Sequence, residues 1–161
     1  MKWFATLDLS ASYWQIPVHK ESQELLTFMA PQGTEAGRFR WTRLPMGLAI
    51  SSDRFNRLVE EVMKKEPKLK FRKIMDDILL FAETFEELLE MLRLFLRVCK
   101  EHNLTLAPRK FQLAGPGQSV IFGGDAVGSE GTAPQSAKIA ALRDFLSPRD
   151  VHALRGFLGI A

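Results

Sequence analysis

The sequence predicts an α+β fold: a largely antiparallel sheet with helices packed on one face. Three observations carry this. Short, apolar, β-prone segments are interleaved with stretches of helical periodicity. Several strand segments are separated only by turn-length spacers, which favours hairpins over parallel crossovers. The 161 residues, 46% hydrophobic and 25% charged, are enough for one sizeable core.

Phe4 to Leu9 (FATLDL) reads as a buried strand carrying Asp8 near its end, and Ser10-Ala11-Ser12 breaks it. Tyr13 to Val18 (YWQIPV) is aromatic and β-prone, with Pro17 limiting its ladder bonding. Leu25 to Ala30 is a short strand, Pro31-Gln32-Gly33 a turn, and Arg38 to Thr42 a strand in which basic residues alternate with aromatics. Leu44 to Leu48 (LPMGL) interrupts. A helix fits Ser52 to Lys65, because Phe55, Leu58, Val59, Val62 and Met63 recur at the spacing of one helical face, and Glu66-Pro67 ends it.

Lys68 to Ile74 and Ile78 to Phe81 are strands, with Asp76-Asp77 at the tight turn between them. Thr84 to Glu87 (TFEE) is a capping box. It opens a helix with Phe85, Leu88, Leu92, Phe95 and Cys99 on one face, ending at His102-Asn103. Leu104 to Ala107 and Ser119 to Val127 read as strands around the turn Ala114 to Gly117 (AGPG), the second broken at Gly123-Gly124. A helix from about Pro134 to Leu146 presents Ile139, Leu142 and Phe145 and stops at Ser147-Pro148. Another begins near Asp150. The sequence ends inside it at an apolar FLGIA, which reads as a fragment.

Composition excludes several classes. The single cysteine, Cys99, rules out an internal disulfide and falls on an apolar helix face. No apolar run reaches membrane-spanning length, no secretory signal opens the chain, and no membrane partner is expected. His19, His102 and His152 lack metal-ligand spacing, and no phosphate-binding glycine loop or nucleophile elbow occurs. Charge is uneven. Arg38 to Lys73 holds eleven Lys/Arg against four Asp/Glu, a net +7, and Asp76 to Glu101 holds three against seven, a net −4. A basic segment running into an acid pair suits a polyanionic partner. Solvated helix charge is the plainer alternative.

The acid pair itself needs explaining. Adjacent carboxylates repel, and burying either is costly without a counter-charge, water or a metal. If the strands carrying Asp8 and the doublet are neighbours, the three acids converge. Oxygen ligands of this kind suit Mg²⁺, and two such ions about 4 Å apart clamp an in-line phosphoryl displacement. Adjacent strand residues face opposite ways, so both doublet acids reach one site only if the turn departs from that alternation. The alternative is a polar hairpin tip beside an unrelated strand-end Asp.

These segments resemble, in order and over almost the whole chain, the reverse transcriptases of long-terminal-repeat retroelements and retroviruses. Phe4 to Val18 is similar to the first palm motif and Arg43 to Leu48 (RLPMGL) to the "R-x-P-F-G-L" segment. Ile74 to Phe81 (IMDDILLF) resembles the "Y-x-D-D-I-L-I-F" hairpin, Leu104 to Lys110 (LTLAPRK) "L-x-L-N-P-x-K-C", and Val120 to Gly124 (VIFGG) "V-x-F-L-G". Pro134 to Ile139 and Leu154 to Gly159 resemble the end of the palm and the start of the thumb.

The resemblance implies a polymerase palm with partial fingers over 1–130 and the end of the palm with the beginning of the thumb over 131–161. It implies Asp8 and Asp76 as metal-bridging carboxylates with Asp77 as their catalytic support. Two Mg²⁺ or Mn²⁺ ions are expected with bound deoxynucleoside triphosphate. Tyr13 takes the aromatic gate under the nucleotide sugar, and Pro45, Met46 and Gly47 line the nucleotide pocket. Phe122, Gly123 and Gly124 grip the primer end, and Arg109 and Lys110 meet nucleic-acid backbone. Tyr13 as a packed aromatic, and Arg109 and Lys110 as solvated charge, are the alternatives.

The implied function is RNA-directed DNA synthesis on an RNA or DNA primer–template. The implied location is intracellular, in the cytoplasm or a virus-like particle. A non-catalytic nucleic-acid-binding or scaffold domain and a metal-dependent phosphodiesterase are the competing readings. Ile74, Met46, Ser12 and Gly123 depart from the family pattern, and Asp125 is an acid next to the expected primer grip. With no upstream fingers in view, at most short additions are expected of the chain alone.

Overall fold

The computed structural model describes residues 1–30, 37–145 and 147–160. The turn expected at Pro31-Gln32-Gly33 lies outside them. The central sheet has four antiparallel strands in the order β4 (Phe71–Ile74), β5 (Asp77–Ala82), β1 (Trp3–Asp8) and β6 (Gln112–Ala114). Its two faces follow from strand alternation. Ala5 and Leu7 of β1, with Ile78, Leu80 and Ala82 of β5, face two helices, α1 (Ser51–Lys64) and α2 (Phe85–Glu101). Those helices return Phe55, Val59, Val62 and Met63, and Leu88, Met91, Phe95, Val98 and Cys99, at the 3.6-residue period. Burial pushes the Cys99 thiol up to about 12, so it is a core side chain and no nucleophile.

The other face carries Phe4 and Leu79 and is covered by a separate antiparallel sheet, β7 (Ser119–Phe122), β8 (Asp125–Gly128) and β9 (Gly131–Pro134), through Val120. The same face ends in acids. Phe4, Thr6 and Asp8 stand opposite Phe81, Leu79 and Asp77. Burial of the preceding apolar pairs therefore fixes the register that sets Asp8 against Asp77.

Four sequence-based expectations change. Tyr13 to Val18 is no strand. Ser12–Gln15 forms a single 3-10 turn, and only Pro17 makes a bridge, to Arg43. Leu104 to Ala107 contributes one bridge, Leu9 to Leu106, and the strand that pairs with β1 is β6, which no expectation covered and which runs into the turn expected at Ala114. Ser119 to Val127 is a hairpin folded at Gly123-Gly124 and not one broken strand. β9 precedes the next helix, so α3 covers only Ser136–Asp144 and leaves Ile139 exposed. A two-stranded ribbon, β2 (Thr27–Met29) with β3 (Arg38–Arg40), and α4 (Val151–Ile160) complete the elements.

The α2 cap has a pH consequence. Thr84 Oγ1 accepts the Glu87 N–H at 3.2 Å, while the Glu87 carboxylate accepts the Glu83 N–H at 3.0 Å and Lys70 Nζ at 2.6 Å. The Lys70 hydrogen bond, more than any other contact, holds the Glu87 carboxyl below its ordinary value of 4.5. A depressed pKa stabilises the fold above that ordinary value, and the gain is lost as pH falls through the folded value. Thermal unfolding should therefore place Glu87→Gln below wild type at neutral pH, with the gap closing in acid. A gap that stays constant down to about pH 3 contradicts this.

Candidate active site

The hairpin between β4 and β5 turns on Met75-Asp76. Met75 takes a positive φ of 53°, which is the departure from alternation that the doublet requires. Asp77 opens β5 directly opposite Asp8, while Asp76 stays in the turn with its carbonyl accepting the Leu9 N–H at 3.2 Å. The two acids thus flank Asp8. A cavity of about 270 Å³ is lined by Asp8, Asp76, Tyr13, Met46 and Lys110. A second, of about 200 Å³, is lined by Asp8, Asp77, Lys110 and Thr6. Thr6 Oγ1 is buried there without a partner among the described residues.

Two contacts that no local pattern announced hold this arrangement. Lys73 Nζ donates to the Met75 carbonyl at 3.2 Å and to Asn56 Oδ1, tying the strained turn to α1. The same ammonium lies 5.8 Å above the Phe55 ring, and its burial lowers its pKa. Lys110 Nζ donates to Asp8 Oδ2 at 2.7 Å, and the Asp8 side chain is only 10% exposed. The hydrogen bond to Asp8, then the charges of all three acids, raise the Lys110 pKa. Asp77 moves up as well, chiefly through burial and then through Asp76 and Asp8, against the opposing Gly123 N–H bond.

Tyr13 is a packed aromatic, as its alternative reading expects. Its ring packs on Phe55 with centroids 5.4 Å apart and its hydroxyl pairs with Ser52 Oγ at 2.9 Å, yet it also lines the larger cavity. Met46 lines that cavity too. Pro45 is buried behind it, its carbonyl accepting from Ser51 Oγ at 2.8 Å, and Gly47 is exposed and outside the lining. Ser12 needs no unusual backbone. The positive φ falls one residue earlier, on Ala11 at 47°. Arg109 is exposed, whereas Lys110 turns to Asp8. Asp125 faces Lys138 Nζ at 4.0 Å, which gives that acid a counter-charge.

The β7–β8 turn meets the acid hairpin directly. Gly123 has φ 59°, and a Cβ there would stand 2.5 Å from Ile74 Cδ1. Two departures from the family pattern, Ile74 and Gly123, are therefore one packing contact. Gly123→Ala should cost about 1–3 kcal/mol. Adding Ile74→Ala should return the steric part but not the backbone part. Chemical denaturation giving the same loss in both backgrounds contradicts the contact.

Residues 1–139 match the family model described as reverse transcriptase (RNA-dependent DNA polymerase). The chain belongs to the reverse transcriptase family. It is 27% identical over 160 residues to the retrovirus-related Pol polyprotein of transposon gypsy from Drosophila melanogaster, covering 99% of this chain and 15% of that protein. It is 30% identical over 161 residues to polyprotein P3 of Commelina yellow mottle virus, covering 99% and 8%. Among solved structures, foamy viral protease–reverse transcriptase in complex with an RNA/DNA hybrid superposes with a TM-score of 0.86 at 28% identity, covering 99% of this chain and 21% of that one. The same foamy viral enzyme class in complex with double-stranded DNA gives a TM-score of 0.86, covering 99% and 27%. This reverse transcriptase chain thus spans a quarter or so of those structures and less of the polyproteins. Among its described residues no helix is long and apolar enough to cross a membrane.

Proposed function

We propose that the chain is the palm of an RNA-directed DNA polymerase, transferring a nucleotidyl unit from a deoxynucleoside triphosphate to a primer 3′-hydroxyl on an RNA or DNA template. We read 1–130 as palm with partial fingers, the latter being the β2–β3 ribbon, and 131–161 as the end of the palm and the beginning of the thumb. The observation that carries the reading is the register that sets Asp8 opposite Asp77, with Asp8 common to a cavity that Asp76 lines and a second that Asp77 lines.

The donor set fits the ions. Asp8 and Asp76 offer hard carboxylate oxygens to one cavity, the chemistry that Mg²⁺ or Mn²⁺ takes. Among the described residues no three acids already stand in ion-holding geometry, and Asp8 gives one oxygen to Lys110 instead. Two divalent ions, when bound, lower the pKa of the attacking hydroxyl and neutralise the leaving diphosphate. The chain's own residues do the positioning. Asp8 and Asp76 orient the reacting groups through their oxygens, and Asp77 supports them from the opposing strand. Tyr13, braced by Phe55 and Ser52, lines the cavity and would lie under the sugar, where its ring would clash with a 2′-hydroxyl. Met46 would border the nucleotide, and Phe122, Gly123 and Gly124 would grip the primer end, with the Gly123 N–H bond to Asp77 holding their turn beside the acids.

A labelled primer annealed to an RNA template, with deoxynucleotides and Mg²⁺ or Mn²⁺, tests the reading. Template-matched addition of one or a few nucleotides with diphosphate release is expected. Nucleotide release without added triphosphates would instead mark a phosphodiesterase. Salt-sensitive binding with no addition by any preparation would mark a binding domain.

A further inference from the structure

The Lys110–Asp8 contact has no place in the proposed chemistry as it stands, because it occupies an oxygen that an ion would need. Its geometry is built in. The Ala107 N–H donates to the Asp8 carbonyl at 2.9 Å, the Ser10 N–H donates to the Thr105 carbonyl at 2.9 Å, and the Lys110 N–H returns to the Ala107 carbonyl at 3.0 Å. The turn Pro108–Lys110 is therefore stitched to the end of β1, and it delivers an ammonium to the carboxylate on that same strand end. Asp8 is the most buried acid of the cluster, and Lys110 is the positive partner that reaches its carboxylate. Lys110, by contrast, is 64% exposed, and its flexible stem borders both cavities that meet at Asp8. A compact ammonium on a flexible stem is a counter-charge that can leave at little cost, unlike a forked guanidinium.

We propose that Lys110 is the resident counter-ion of the acid cluster: it neutralises Asp8 in the ion-free protein, and a divalent ion binds by displacing it. This rests on the reading of Asp8 and Asp76 as the ion ligands. It makes Lys110 a positioning residue that keeps three carboxylates folded together before any ion or nucleotide arrives. It also makes ion binding weaker than the acids alone would give, because each binding event breaks an ion pair.

Mn²⁺ titration followed by the electron-spin resonance of free Mn²⁺, together with thermal unfolding, tests it on the chain as described. Lys110→Met and Lys110→Gln should bind Mn²⁺ about two- to fivefold more tightly than wild type, the scale of one lost ion-pair competitor. Without Mn²⁺ both should unfold at lower temperature than wild type, and saturating Mn²⁺ should close the gap. Lys110→Arg, which keeps the charge, should bind Mn²⁺ no more tightly than wild type. In an Asp8→Asn background, Lys110→Met should leave the ion-free unfolding temperature unchanged. Equal Mn²⁺ affinity in wild type and both neutral variants, while Asp8→Asn and Asp76→Asn lose binding, overturns the counter-ion role and leaves the active-site reading intact. Mn²⁺ binding that survives both Asp8→Asn and Asp76→Asn overturns the two together.

Discussion

Asp76→Asn is expected to lower template-directed single-nucleotide addition by about 10²–10³-fold while leaving the fold intact. The substitution keeps the shape of the side chain and removes the charge that the larger cavity receives from the turn. Asp76 is half-buried in that turn, and its charge pushes the neighbouring Asp77 toward protonation. Losing it relieves like-charge repulsion, so stability should stay within about 0.5 kcal/mol of wild type. The same preparation therefore gives both numbers, primer addition and a denaturant midpoint. Addition that persists within a few-fold of wild type removes Asp76 from the chemistry. A large loss of stability would mean that the residue acts through the fold instead.

Phe55→Ala should be the most damaging substitution for stability near the site, at about 3–5 kcal/mol, out of a total of about 5–15 kcal/mol for a domain of ordinary stability. Phe55 is 2% exposed in the main core. It also supports the site from within the core, carrying Tyr13 on one side and the Lys73 ammonium on the other. Removing the ring leaves a cavity under Tyr13 and frees the lysine that holds the Met75 turn. The unfolding temperature should drop by roughly 10 °C, and surviving protein should discriminate less between deoxy- and ribonucleotides. Phe55→Leu keeps most of the volume and should cost about 1–1.5 kcal/mol. An alanine variant within about 1 kcal/mol of wild type contradicts this account of the packing.

The parts of the fold that were legible in the sequence are those specified by local periodicity. The buried faces of α1 and α2 and the apolar strand before Asp8 each repeat a pattern over many residues and stand where expected, while the hairpin turns one residue earlier than expected, on Met75-Asp76, with Asp77 already in β5. The misread segments are short or depend on distant partners. Tyr13 to Val18 has strand-forming residues but finds no ladder, because Tyr13 is drawn to Phe55 and Ser52 on α1. β6 and β9, of three and four residues, carry too few alternations to stand out. Gly123-Gly124 broke a strand pattern, and only the pairing of β7 with β8 makes it a turn.

The site divides the same way. Motif order carried the three acids, Tyr13 and the glycine turn to one end of the sheet. Nothing local carried Lys110 to Asp8, 102 residues away, or Lys73 to Asn56, 17 residues away on the preceding helix. Their chemistry is ordinary, and their partners become known only when the strands are laid side by side. The contact between Gly123 and Ile74 joins two departures that look unrelated along the chain, since a side chain at Gly123 would meet the end of the Ile74 side chain.

The central claim is that Asp8 and Asp76 share a divalent ion at the end of the sheet. Anomalous scattering from crystals grown with Mn²⁺, primer–template and a non-reactive nucleotide tests it most directly. A Mn²⁺ peak within coordination distance of both carboxylates, with Lys110 moved off Asp8, is the expected result. A map in which Mn²⁺ sits elsewhere, or in which Asp8 keeps Lys110 while nucleotide is bound, contradicts it.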